Sequence, residues 1–258
     1  MRPWIRLSAV PLAAASVLLV NSLNAAAFTS GTTGYDIGYL QCGTTYPTGA
    51  FGVVGVDSGW PFISDVHPGN KCLADEYNHA SSPQLYVNTG FDPSYTDSNH
   101  TTLDCANKSV NVVGDPNQQA AWAAGCSEAQ KDLAYVAQQL PSVVPTGWWL
   151  DVETSNSWCG QSGTNCTDLS LNQYAIQGLV DTLFTSSSAS IGIYSTDYQW
   201  SSIVGTGSVA GVTADWYATG LGSRKRAGSY CSSAYSFTGA PVALVQYVPG
   251  SVDRDYAC

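Results

Sequence analysis

Asp151 and Glu153 stand two residues apart in the run WWLDVE. Because side chains alternate between the two faces of a β-strand, both carboxylates share one face with Trp149. The apolar Leu150 and Val152 take the other face. Two carboxylates this close repel each other, which raises the pKa of at least one. A carboxyl group that stays protonated can donate its proton to a leaving oxygen, so the spacing predicts acid/base chemistry on a polar, uncharged ligand.

The same alternation turns further polar residues away from the apolar side of other β-rich runs. These residues are Asp36, Asp57, Asn88, Tyr194 and Gln246. Most of them fall late in their strands, and the carboxyl ends of barrel strands are where barrel enzymes keep their sites. Trp216 has polar neighbours on both sides, so alternation does not orient it. The simpler alternative is that Asp151 and Glu153 are solvated strand ends.

The elements that must hold these side chains alternate between strands and helices. Ser127 and Ser170 each begin a capping-box pattern that predicts a helix start, and a shorter helix is expected over Leu73–Ala80. Strands alternating with helices favour parallel βα units and a single α/β domain, a TIM-like (β/α) barrel. The strand runs are Tyr35–Leu40, Phe51–Val56, Gln84–Asn88, Trp148–Val152, Ser190–Tyr194, Ala214–Ala218 and Val242–Tyr247.

One stretch, about residues 91–125, is rich in Asp, Asn, Ser and Thr. It is too long for an ordinary connection between elements. We expect it to be an insertion or a lid over the barrel.

The N-terminus and the composition predict the compartment. Arg2 and Arg6 precede the apolar run Leu7–Val20, and three alanines end at Ala27, which is typical of a secretory signal peptide over 1–27. The mature domain would then be 28–258, secreted and free of the membrane. A formal net charge of −10 argues against nucleic acid as a partner, and no cofactor motif is present. A monomer is expected.

Eight cysteines follow the signal segment: Cys42, Cys72, Cys105, Cys126, Cys159, Cys166, Cys231 and Cys258. An even number in a secreted chain predicts disulfides rather than nucleophiles. No C-x-x-C pair is present and histidines number only three, so no metal site is expected. The count allows 105 pairings. Pairing in sequence order would close short loops, with Cys159–Cys166 as the best supported of these.

Several of these runs, in this order, resemble family 25 glycoside hydrolases, the Chalaropsis-type lysozymes, and the secreted glycoside hydrolase-like barrels related to them. The runs are Gly34-Tyr35-Asp36, Leu150-Asp151-Val152-Glu153, Ile193-Tyr194-Ser195, Asp215-Trp216-Tyr217, Val245-Gln246-Tyr247 and Val252-Asp253. The resemblance covers about the whole mature chain. It implies a flattened barrel with fewer helices than strands.

The resemblance also implies roles for individual residues. Glu153 would be the catalytic acid, and Asp151 would orient the substrate N-acetyl group or stabilise developing charge. Asp36 and Asp253 would complete the catalytic acids, with Asp255 as a competing candidate for the last position. Tyr194, Trp216 and Gln246 would line the cleft. Strand alternation adds Asp57, Asn88 and Trp149 to the residues expected to bind substrate, although Asp57 has no matching acid in the family.

Two functions are therefore compatible with the sequence. The first is a lysozyme-like hydrolase that cleaves an N-acetylated cell-wall polysaccharide such as peptidoglycan. The second is a carbohydrate-binding barrel with the same cleft but without turnover. The two differ in whether reducing ends are released from the polymer.

Overall fold

The structure, a computed structural model, describes residues 28–258. The predicted signal peptide, 1–27, lies outside the described residues. Eight strands close into one barrel in chain order. They are β1 (Thr33–Ile37), β2 (Gly52–Gly55), β3 (Gln84–Asn88), β4 (Gly147–Asp151), β5 (Ser190–Ser195), β6 (Ala214–Ala218), β7 (Val242–Tyr247) and β8 (Arg254–Ala257).

The α-helices of the described residues are fewer than the strands, as the predicted flattened barrel requires. They are α1 (Leu73–His79), α2 (Leu103–Ser109), α3 (Pro116–Gln139), α4 (Leu169–Ser187), α5 (Asp197–Val204) and α6 (Arg224–Ala227). Short 3-10 turns fill some connections. Only a 3-10 turn, Tyr39–Gln41, lies between β1 and the loop that leads to β2. The barrel is therefore an α/β barrel without a complete outer ring of helices.

The prediction that a helix begins at Ser127 is wrong. Helix α3 begins at Pro116, where Asp115 accepts hydrogen bonds from two backbone N–H groups and Gln118 completes a capping box. Ser127 lies inside the helix, and its hydroxyl donates to the Ala123 carbonyl at 2.6 Å. The same four-residue pattern therefore occurred twice, and the earlier copy, with Pro at the first helical position, caps the helix.

Strand β8 closes the barrel in the direction opposite to the other strands. It pairs antiparallel with both β7 and β1, whereas all other neighbouring pairs are parallel. The start of β8 therefore lies at the same face as the carboxyl ends of β1–β7. Sequence patterns did not predict this strand, because four residues carry too little alternation. Its direction brings Asp253 and Asp255 towards the predicted site.

Two apolar layers follow the predicted alternation of side chains. Ile37, Val87, Leu150 and Ile193 belong to the outer core between the barrel and the helices. Trp149 and Trp216 belong to a separate cluster inside the barrel, with ring centroids 5.6 Å apart in an edge-to-face arrangement. The structure thus orients Trp216 inward.

Four disulfides join the cysteines in sequence order: Cys42–Cys72, Cys105–Cys126, Cys159–Cys166 and Cys231–Cys258. They are typical of proteins that fold in an oxidising compartment. The Cys105–Cys126 bridge ties α2, which lies in the 91–125 stretch, to α3. That stretch contains a 3-10 turn, all of α2 and the first part of α3.

Across residues 28–258, none of the helices combines the length and the apolar character that a membrane crossing requires.

Candidate active site

A small cavity opens at the face where β1–β7 end and β8 begins. Its volume is about 180 Å³, and the residues that line it come from seven strands or the segments that adjoin them. Polar side chains near the carboxyl ends of the parallel strands, and one just before antiparallel β8, meet in this cavity. The lining residues are Asp36, Tyr86, Asp151, Glu153, Tyr194, Trp216, Gln246 and Asp253.

Asp151 is the last residue of β4 and presents a polar atom without a partner. It stands in register between Asn88 of β3 and Tyr194 of β5. Its Oδ1 is buried and has no hydrogen-bond partner among the described residues. Burial raises the pKa of Asp151 well above its ordinary value, and the charge of Glu153 adds to this. A donor group of a bound ligand would satisfy this oxygen.

Glu153 lies two residues beyond the end of β4 and is held by α5. The side-chain amide of Gln199 donates to Glu153 Oε1 at 3.3 Å. Burial raises the pKa of Glu153, the hydrogen bond from Gln199 lowers it in part, and the charge of Asp253 raises it further. Burial also raises the pKa of Asp253. Glu153 therefore retains its proton to a higher pH than a free glutamate does.

Asp36 is fixed by a hydrogen-bond chain that crosses the barrel. The Tyr194 hydroxyl donates to Gln246 Oε1 at 2.8 Å, and Gln246 Nε2 donates to Asp36 Oδ2 at 3.2 Å. This chain sets the orientation of the Gln246 amide, because Asp36 needs a donor and the tyrosine needs an acceptor. Burial, followed by the charge of Asp253, raises the pKa of Asp36 to about 7.

Asp255 lies behind Asp36 and is completely buried. Its Oδ1 accepts a hydrogen bond of 2.8 Å from Trp216 Nε1, while its Oδ2 receives no hydrogen bond from any described residue. Burial, followed by the charge of Asp36, raises the pKa of Asp255 well above its usual range. Two carboxyl groups this deep in the barrel disfavour carrying two negative charges.

No Lys, Arg or His is among the described residues that line the cavity. Four carboxyl groups therefore share a small space without a cation, and burial raises the pKa of each. Such a site holds protons near neutral pH and can deliver one to an oxygen atom. It can also accept a hydrogen bond from an N–H group of a ligand.

The cavity brings together seven of the ten predicted catalytic and binding residues: Asp36, Asp151, Glu153, Asp253, Tyr194, Trp216 and Gln246. Tyr86 was not predicted. It lies two residues before Asn88 on β3, so the alternation that turned Asn88 inward also applied to Tyr86.

Trp149, Asp57 and Asn88 do not line the cavity. The Trp149 indole N–H donates to Gln84 Oε1 at 2.7 Å, deeper in the barrel. Asp57 accepts hydrogen bonds from the Asn88 backbone N–H at 2.7 Å, from the Asn88 side-chain amide at 2.9 Å and from the Gly59 N–H at 2.8 Å. These contacts join the end of β2 to the end of β3. Strand alternation predicted that these side chains face the inside of the barrel. It did not predict the hydrogen-bond partners that their polar atoms have there.

Solved structures share this barrel. A muramidase from Trichobolus zukalii is 14% identical, with 88% of this chain and 93% of that chain covered and a TM-score of 0.50. This chain has the fold of a muramidase. A muramidase from Acremonium alcalophilum (15% identical, 88% and 93% covered, TM-score 0.49) and the Streptomyces coelicolor lysozyme (16% identical, 89% and 93% covered, TM-score 0.48) are also similar. Neither a protein-family profile nor a curated protein sequence matches the chain.

At these identities the likeness concerns the fold alone. The α/β barrel that the sequence resemblance implied is confirmed, including its helix-poor outer layer. The roles of individual residues depend on the geometry of the cavity.

Proposed function

We propose that this protein is a secreted, monomeric glycoside hydrolase that cleaves an N-acetylated cell-wall polysaccharide, as lysozymes and muramidases do. The observation that carries this proposal is the pairing of Asp151 and Glu153 in one cavity. Asp151 has a buried, unpartnered Oδ1, and Glu153 has a pKa raised by burial. One carboxyl can hold the substrate while the other protonates it.

Glu153 supplies the proton in this mechanism. As the glycosidic C–O bond breaks, the proton moves from the Glu153 carboxyl group to the leaving oxygen. The N-acetyl carbonyl oxygen of the substrate attacks the sugar carbon, and Asp151 accepts a hydrogen bond from the acetamide N–H and so orients that group. Water then opens the cyclic intermediate, and a proton from the water returns to Glu153.

The remaining lining residues suit a neutral sugar. Tyr194 and Trp216 form an edge-to-face pair with centroids 4.6 Å apart, which gives one side of the cavity an aromatic surface. Asp36 and Gln246 offer polar atoms for hydroxyl groups. Burial raises the pKa of both Asp36 and Asp255, which disfavours two negative charges side by side. The fold shared with the Trichobolus zukalii muramidase agrees with this substrate class.

Secretion is supported by the four disulfides and by the predicted signal segment at 1–27. A secreted hydrolase would meet a cell-wall polymer outside the cell.

The decisive experiment measures reducing ends released from peptidoglycan and from N-acetylglucosamine oligomers. Wild-type protein is expected to release them, and Glu153→Gln is expected to lose turnover by several orders of magnitude because the amide cannot donate a proton as an acid. Asp197→Asn is the matched control, since Asp197 is an exposed acid just beyond β5 that does not line the cavity. Circular dichroism checks that both variants fold.

If wild-type protein binds these polymers but releases no reducing ends, the barrel is a carbohydrate-binding module and the hydrolase proposal is wrong. If Glu153→Gln retains full turnover, Glu153 is not the acid.

A further inference from the structure

A second concave site lies beside the cavity, between the loops that follow β2 and β3 and helix α3. Its volume is about 300 Å³. We call it the Trp60 groove; the lining residues that matter here are Trp60, Phe62, His67, Tyr95, His100 and Lys131. Both loops follow carboxyl ends of barrel strands, so the groove lies at the same face as the carboxylate cavity.

Trp60 is held open to solvent on a rigid loop. Its side chain is 56% exposed, and one face of the indole stacks on His67 with centroids 4.8 Å apart and an interplanar angle of 24°. The loop is closed on itself, because the Ser58 hydroxyl donates to the Pro68 carbonyl at 2.6 Å. The Gly59 N–H donates to buried Asp57 at 2.8 Å. An exposed indole on a rigid loop is a ready binding surface.

The segment Gly38–Tyr39 lies between the loop of the groove and a residue of the cavity. Tyr39, 40% exposed, follows Asp36 by three residues, and its ring lies 3.1 Å from where a Cβ on Gly59 would sit. Gly38, the neighbour of Tyr39, lies against the hydroxyl of Tyr86, which lines the cavity. Tyr39 therefore lies against the loop that carries Trp60, and the residue before it lies against Tyr86 of the cavity.

The rim of the groove carries hydrogen-bond donors and a cation. Lys131 Nζ donates to the Asn99 carbonyl at 3.0 Å and lies 5.6 Å from the centroid of Phe62. In a chain of formal net charge −10, this lysine offsets the repulsion that an anionic wall polymer would meet at the carboxylate cavity.

We propose that the Trp60 groove binds a sugar ring of the same glycan strand that the cavity cleaves. This inference rests on the proposed function. The cavity, at about 180 Å³, is smaller than the roughly 300–1,000 Å³ typical of ligand pockets, so most of a glycan strand bound there would lie outside it. The exposed indole stacks on the apolar face of the ring, and the rim donors bind its hydroxyl or acetyl oxygens. The buried Asp57, which does not reach the cavity, positions the loop that carries Trp60.

The test compares dissociation constants for peptide-free glycan strands of two lengths, a hexasaccharide and a disaccharide, measured by calorimetry. All variants are made in the Glu153→Gln background, in which the strands are bound but not cleaved. Trp60→Ala is expected to weaken hexasaccharide binding by roughly three- to tenfold more than disaccharide binding. Trp60→Phe should recover part of the loss. Phe184→Ala is the matched control, since Phe184 is an aromatic residue, 47% exposed, near the C-terminal end of α4 at the opposite end of the barrel.

The proposal is overturned if Trp60→Ala changes both dissociation constants by the same factor or neither of them. It is also overturned if the loss is seen only with strands that carry stem peptides, because the groove then binds peptide. Reducing-end release by the wild-type protein is measured separately. If the wild-type protein releases no reducing ends but hexasaccharide binding depends on Trp60, the hydrolase proposal is wrong and the proposal for the Trp60 groove stands.

Discussion

Replacing Asp36 with Asn isolates the cost of burying a carboxyl group in the cavity. The pKa of Asp36 is raised to about 7, first by burial and then by the charge of Asp253. The amide fills the same volume, and its oxygen can still accept the hydrogen bond from Gln246. The variant therefore removes the ionisation of Asp36 and keeps the hydrogen bond from Gln246.

The sign of the effect follows from the two states of the wild-type chain. A free aspartyl group has a pKa of 3.8, so the folded state, with a pKa of about 7, binds this proton more tightly than the unfolded state. The resulting stabilisation is complete below the lower value and is lost as the pH rises towards the higher one. At about 1.4 kcal/mol per pH unit, the wild-type protein loses about 4 kcal/mol through this group.

Asp36→Asn does not lose this stability at high pH, because an amide does not ionise. Relative to the wild type, its free energy of unfolding should be larger, meaning greater stability, by about 4 kcal/mol more at pH 8 than at pH 4. Guanidinium titrations of the oxidised proteins at a series of pH values measure this difference. Asp104→Asn is a control of opposite sign, since the hydrogen bond from Lys108 lowers the pKa of exposed Asp104. A stability difference for Asp36→Asn that does not vary with pH would refute the reasoning.

Two further predictions concern the acid and the helix packing. Gln199→Met removes the hydrogen bond that lowers the pKa of Glu153. The alkaline limb of the pH–activity profile should therefore move to higher pH. A limb that stays in place or moves to lower pH would contradict the assignment of Glu153 as the acid. Gly125→Ala places a Cβ on the Ala175 carbonyl oxygen of α4 and should reduce the free energy of unfolding by about 1–3 kcal/mol. Gly250→Ala, which meets open space, should change it by less than about 0.5 kcal/mol, and equal effects in denaturant titrations would disprove the packing argument.

Much of the site followed from strand alternation alone. The two-residue period of a strand is a property of the backbone, so Asp151, Glu153 and Asp36 could be placed on the inner face without knowledge of their neighbours. The same period put Tyr194 and Gln246 beside them. It depends on an apolar residue on the opposite face, and each of these strands supplies one.

Strand alternation makes no prediction for a strand in which no apolar residue marks the opposite face. Trp216 lies between Asp215 and Tyr217, and only the closed barrel shows that its indole N–H reaches Asp255 while Asp215 accepts hydrogen bonds from Phe237 and Thr238 outside. The capping pattern at Ser127 predicts a start for α3 that lies inside the helix, because such a pattern is local and recurs by chance.

The sequence by itself determined which residue types stand on which face of each strand, because alternation is local. Only the tertiary structure decided which of those side chains meet. Antiparallel β8 brings Asp255 near Asp36, so that the charge of Asp36 raises the pKa of a buried carboxyl group 219 positions away in a chain of 258 residues. Closing the barrel also separates Asp57 from the cavity, since its oxygens are already occupied by the ends of β2 and β3. Proton affinity and free ligand-binding capacity both depend on such neighbours, and neighbours are set by barrel closure rather than by sequence spacing.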